Sequence, residues 1–126
     1  MKKLAKFLCI VCLFCLVACG GKDAYNQELC DTLVEKIKGH DEMTEKDYDE
    51  MIGQFGSIVS WMSDEKKAAN GDEAKYKEAL KSPEGVKKAE YMLYFGLELD
   101  GNRDKLSASN VAKLAKYMKE MNGVKD

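Results

Sequence analysis

Proline, histidine and tryptophan each occur once in these 126 residues, as Pro83, His40 and Trp61. With a single proline and no stretch that alternates apolar and polar residues, no half-buried strand is expected and the body should be helical. One histidine, with no second histidine or free cysteine at ligand spacing, argues against a transition-metal site. No serine stands in a Gly-x-Ser-x-Gly turn, and no glycine-rich cradle for phosphate is present. Basic residues are not in excess: 20 against 22 acidic ones give a net charge of −2. That balance leaves no electrostatic footprint for nucleic acid. Repeats and low-complexity segments are absent too. The expectation is a non-catalytic protein with no cofactor and no resident metal.

The N-terminus carries the strongest signal. Lys2, Lys3 and Lys6 precede an uncharged apolar stretch from Phe7 to Ala18, the pattern of an export signal. As a helix that stretch reaches about 18 Å, against roughly 30 Å of hydrocarbon core, so it is a poor permanent span. Leu16-Val17-Ala18-Cys19 closes it and resembles a bacterial lipobox. The resemblance implies a diacylglyceryl thioether on Cys19 and cleavage between Ala18 and Cys19. It therefore divides the chain into a signal peptide (1–18), a lipidated tether (19–23) and a helical domain (24–126). Sulfur suits the acylation because it is a far better nucleophile than a serine hydroxyl near neutral pH. Each buried methylene adds about 0.8 kcal/mol, so two or three acyl chains hold a protein to a bilayer almost permanently. Gly20 stands where some Gram-negative lipoproteins carry the aspartate of inner-membrane retention, which favours the outer membrane. Lys22-Asp23 is similar, over two residues, to the short tags that send certain lipoproteins to the cell surface.

Processing changes the inventory. Cys9, Cys12 and Cys15 leave with the leader and Cys19 is taken by lipid, so only Cys30 remains as a thiol. An internal disulfide is excluded, and Cys30 is expected as a small core residue. Removal of the three leader lysines leaves 17 basic and 22 acidic residues, net −5. Such a surface is mildly repelled by anionic headgroups.

Behind the tether the periodicity predicts a compact all-α bundle of four or five helices. The first has Tyr25, Leu29, Leu33 and Ile37 in steps of four, with Cys30 and Val34 widening the stripe and Gly39 as its stop. The second opens at Thr44, with Asp47 as capping partner, and its stripe runs Tyr48, Met51, Ile52, Phe55, Ile58, Val59, Met62 to a break at Asn70-Gly71. A weaker third covers Glu73–Lys81, with Tyr76, Ala79 and Leu80 to bury. Ser82-Pro83-Glu84 starts a fourth that runs to about Leu99, with Val86, Ala89, Leu93 and Leu97 as its expected core stripe. The fifth follows Ser107 or Ser109 and carries Val111, Leu114, Met118 and Met121, with Gly123 beyond it.

Two of these helices are apolar on more than one side. Met51 to Ser63 contains no charge, and Gly53, Ser57 and Ser60 lie opposite the Phe55 stripe with Gly56 to one side. On the fourth, Tyr91 and Phe95 point away from the aliphatic stripe, with Tyr94 close by. Aromatic knobs on one helix and a smooth face on the other are expected to pack together. Either both helices are covered on two sides, or part of this surface, including Trp61, is exposed to a partner.

Three constellations hold residue types that could carry chemistry. His40 with Asp41, Glu42, Glu45, Asp47, Asp49 and Glu50 has the oxygens for a divalent cation, but acids there also favour a helix N-terminus. Asp100-Gly101-Asn102-Arg103-Asp104 resembles a calcium loop, yet Lys105 and Val111 occupy the positions that need glycine and a bidentate glutamate. A Cys30–His40 couple would need a thiol that the pattern buries.

The expected function is that of a lipid-anchored envelope module that acts by binding a protein partner, with Cys19 as the lipidation site. The competing expectation is a small-ligand protein with a pocket between helices two and four, lined by Trp61, Tyr91, Tyr94 and Phe95. A narrower form of the first is an inhibitor or immunity protein whose acidic surface meets a basic target.

Overall fold

The computed structural model describes residues 24–124. The leader, the Leu16–Cys19 motif and the tether lie outside the described residues. Among the described residues five helices follow one another: α1 (Gln27–Lys38), α2 (Glu45–Ala69), α3 (Glu73–Lys81), α4 (Pro83–Gly101) and α5 (Ala108–Val124), with a 3-10 turn at Arg103–Lys105 before the last. No strand occurs among the described residues. The all-α reading holds.

Local chemistry sets the starts. Asn26 Oδ1 accepts from Leu29 N at 3.0 Å and caps α1. At α2 the box is reciprocal, with Asp47 N donating to Thr44 Oγ1 and Thr44 N donating to Asp47 Oδ2. Asp72 caps α3 and Ser82 caps α4, where Pro83 takes the first helical position and needs no N–H partner. Of the two serines proposed for α5, Ser107 is the cap, accepting from Asn110 N at 3.1 Å.

The ends differ more from expectation. Gly39 keeps right-handed geometry, and His40 takes the left-handed position with φ 56°. His40 N then donates to Ile37 O and Asp41 N to Lys36 O, the paired bonds that close a helix in this way. Helix α5 continues through Gly123.

Helix α2 is the axis of the fold and packs against all four others. Its uncharged stretch is buried nearly all round, from Met51 to Val59 with Ser57 half-buried. The smooth face of α2 does receive an aromatic knob, but from α5. Tyr117 lies over Gly56, where a Cβ would come within 2.5 Å of the ring. Leu114 and Tyr117 of α5, with Cys30, Leu33 and Val34 of α1, join the α2 stripe in one core cluster.

Helix α4 is rotated from its expected setting. Tyr91, Phe95 and Leu99 face the core, at 1%, 0% and 0% exposure. The aliphatic stripe faces out, with Val86, Leu93 and Leu97 at 57%, 63% and 68%. Size decides the choice, since a buried aromatic removes roughly 150–250 Å² each from water. The Tyr91 and Phe95 rings stack with centroids 6.1 Å apart, and the Tyr91 hydroxyl donates to Asp31 of α1. Gly85 makes the rotation compatible with a tight α3–α4 joint. A Cβ there would stand 2.4 Å from Ala79 O.

Candidate functional site

The outward stripe of α4 borders a groove of about 480 Å³. Ile58, Trp61 and Met62 come from α2, and Leu93 and Leu97 face them from α4. Met118 and Met121 of α5 and Leu80 of α3 extend the lining. Ala89 and Gly96 keep the α4 side hollow, and a Cβ at Gly96 would touch only Phe55 Cε2, at 3.7 Å. Among the described residues, Lys88 and Asp100 are the only charged ones that line it. The size falls within the roughly 300–1,000 Å³ of small-ligand sites, and methionine with leucine gives a surface that adapts to what it meets.

Nothing in the sequence marks Lys88 as part of a site. It is 3% exposed, and its ammonium lies 2.6 Å from Glu84 Oε2. The same ammonium sits 4.3 Å from the Tyr25 ring centroid and 4.6 Å from that of Trp61. One cation thus links the first aromatic of the described chain to the groove wall, with both ring faces offering it negative charge. In sequence the residue looks like any solvated helix lysine; only the rotation of α4 brings it inside.

Gln54 fixes the other side of that N-terminal segment. It is buried, its Oε1 accepts from Asn26 N at 2.8 Å, and its Nε2 donates to Ala24 O at 3.0 Å. The start of the body is therefore held on α2 by a buried amide and against α4 by a buried lysine. Burial also pushes the Tyr25 hydroxyl up to about 12. Cys30 lies beside Gln54, its thiol 3.4 Å from Oε1, and burial raises it to about 12, with the charge of Asp31 adding to the effect. A thiol in that setting is a core group with little thiolate.

Of the four residues expected to line a pocket between helices two and four, one does so. The groove lies between those helices, but on the side of α4 opposite the aromatic trio. Trp61 is half-buried in its wall. Tyr91 and Phe95 are core residues, and the Tyr91 hydroxyl is raised by burial and by its bond to Asp31. Tyr94 is half-buried on the α1 side, with the Lys38 ammonium 5.5 Å from its ring centroid. The chemistry of the groove is therefore mainly aliphatic and thioether, with the indole of Trp61 and the ring of Phe55.

A second hollow, of about 390 Å³, is polar and lies between α2 and α5. In it the buried Asn110 donates from Nδ2 to Asp49 Oδ1 at 2.6 Å, which ties the two helices together. Among the described residues no group of three or more His, Cys, Asp or Glu side chains is placed to hold a metal. His40 is exposed at its turn, and Asp100 Oδ1 is taken by Arg103 Nε at 2.8 Å. No helix among the described residues is long and apolar enough to cross a membrane. No protein-family model, curated protein or solved structure matches this chain.

Proposed function

We propose that this is a lipid-anchored lipoprotein of the bacterial envelope, tethered through Cys19, whose helical body is a non-catalytic binding module working through the α2–α4 groove. The outer membrane is its proposed location. The observation that supports the binding role is the exposure of Leu93 and Leu97 in the groove with Trp61, with Val86 exposed further along the same stripe of α4. A row of large apolar side chains along a concave edge is a surface that a protein partner removes from water. The anchor restricts the body to one surface and raises its effective concentration for partners held there.

A photo-crosslinking residue at Leu93 in intact cells tests this. Recovery of one envelope protein, lost when Leu97 is changed to Asp, supports the reading. Recovery of nothing specific from position 93, with labelling equal to that at an exposed α3 position such as Lys77, overturns it.

A second reading, an apolar small-ligand protein, is favoured by the concavity that Ala89 and Gly96 create. Addition of a lipid and metabolite panel should then shift the fluorescence of Trp61, the one tryptophan of the chain. A flat response across the panel, with a partner captured at Leu93, decides for the protein partner.

A further inference from the structure

We infer that the resident occupant of the α2–α4 groove is one acyl chain of the protein's own anchor on Cys19. The inference rests on the lipoprotein reading above and deepens it, by giving the groove a ligand class and a source. Three observations carry it.

The first is where the described chain begins. Gln54 and Lys88 clamp residues 24–26 onto α2 and α4, and the lysine that holds Tyr25 also stacks on Trp61 in the groove wall. From Cys19 to Tyr25 is six residues, which span at most about 20 Å even fully extended. An acyl chain attached there starts within reach of the groove and need not search for it. Attachment also gives it a high local concentration that no free lipid has.

The second is the lining. Leu93, Leu97 and Met121 offer apolar contact, Met118 a sulfur that accepts weakly from Arg103 and Trp61 an indole with a single N–H, and the two charged residues among the lining are Lys88 and Asp100. Lys88 is already committed to Glu84 and to two rings. A site of this kind recognises a methylene chain and not a polar metabolite.

The third is the energetic comparison with the bilayer. A methylene moved from lipid into this groove exchanges one apolar setting for another, so the transfer itself costs little. The exposed side chains of the groove leave water at the same time, and that part is favourable. Laying the whole body on the membrane would also cover them, but the mature body carries net −5 and is repelled by anionic headgroups. The remaining acyl chains keep the protein on the membrane. A protein partner of the groove would have to displace the resident chain.

The test uses the full chain, produced in a fatty-acid auxotroph fed a brominated fatty acid and reconstituted into vesicles of unbrominated phosphatidylcholine. Bromine quenches tryptophan only near contact, so Trp61 should lose about half its emission or more relative to unbrominated protein. Ala89→Phe, which fills the groove from an exposed position, should restore the emission. In the reciprocal arm, unbrominated protein in vesicles of brominated phosphatidylcholine should remain bright. Quenching in the reciprocal arm alone would assign the groove to bilayer lipid and overturn the inference. Bright protein in the first arm, with mass spectrometry showing the thioether on Cys19, overturns the inference and leaves the lipoprotein reading standing. An unmodified Cys19 overturns both.

Discussion

Tyr117 of α5 lies across Gly56 of α2 with no room for even one carbon between them, since a Cβ at position 56 would meet Tyr117 Cζ at 2.5 Å. This close approach lets α5 pack along the uncharged face of α2. Gly56→Ala should therefore destabilise the fold by about 1–3 kcal/mol, the usual range for overpacking a filled core. Truncating the ring should relieve the clash, so Tyr117→Leu in the Gly56→Ala background should cost less than it does alone. Urea midpoints for the four combinations measure the coupling. Additive effects would mean that the ring does not sit where the structure places it.

The setting of α4 makes an equally sharp contrast. Phe95 is fully buried and Leu93, two residues away, is mostly exposed. Phe95→Ala should cost about 3–5 kcal/mol, and Leu93→Ala should stay within about 0.5 kcal/mol. Thermal or denaturant unfolding of the unlipidated chain reads both. The opposite order is what the aliphatic stripe, taken as the core face, would produce.

Helix α4 marks the limit of what local pattern encodes. The stripes of α1 and α2, the Thr44–Asp47 box, the Asn70-Gly71 break and the Ser82-Pro83 start are local patterns, and each is where the periodicity put it. Helix α4 has an aliphatic face and an aromatic face, so periodicity supplies two answers and only the neighbours choose. Asp31 on α1 receives the Tyr91 hydroxyl, and nothing within α4 announces it. The same holds for the groove. Its two helices were legible, but its lining follows from the rotation, and of the four residues expected there only Trp61 arrives. Lys88 and Gln54 were missed because a lysine and a glutamine carry no sign of burial until their partners, Tyr25 and the backbone of residues 24 and 26, are in place.

Asp47 should make stability pH-dependent in one direction. Its hydrogen bond from the Thr44 backbone is the main cause that holds the carboxyl below its usual range, and Lys36, 2.9 Å away, adds to it. A carboxyl lowered in the folded state stabilises the fold above its unfolded value, near 3.9, and that contribution is lost as pH falls through the lower folded value. Asp47→Asn should cost about 1–2 kcal/mol at pH 7. The gap between wild type and variant should narrow as pH drops from about 5 toward 2. Parallel melting curves at pH 7 and pH 3 measure it, and a gap that stays constant would remove Asp47 from the account.

Cys30 offers a measurement of opening that needs no engineered probe. Its side chain is fully buried and its thiol is raised to about 12, so little of it is thiolate at pH 8. Two barriers, access and ionisation, therefore protect it in the folded state, and both vanish when α1 leaves α2. Alkylation followed by peptide mapping of the Cys30 segment should proceed only through unfolding, at a rate that rises with urea as the open population does. Asp31→Asn tests the electrostatic share, because the neighbouring carboxylate opposes the thiolate and its loss should raise the ionised fraction. Because Asp31 also accepts the Tyr91 hydroxyl, the variant should speed labelling only by as much as it lowers stability if opening limits the reaction, and by more if the thiol reacts while still in place. Rapid labelling in the native wild type would mean that the α1–α2 seam breathes far more readily than its packing around Leu33, Met51 and Phe55 allows.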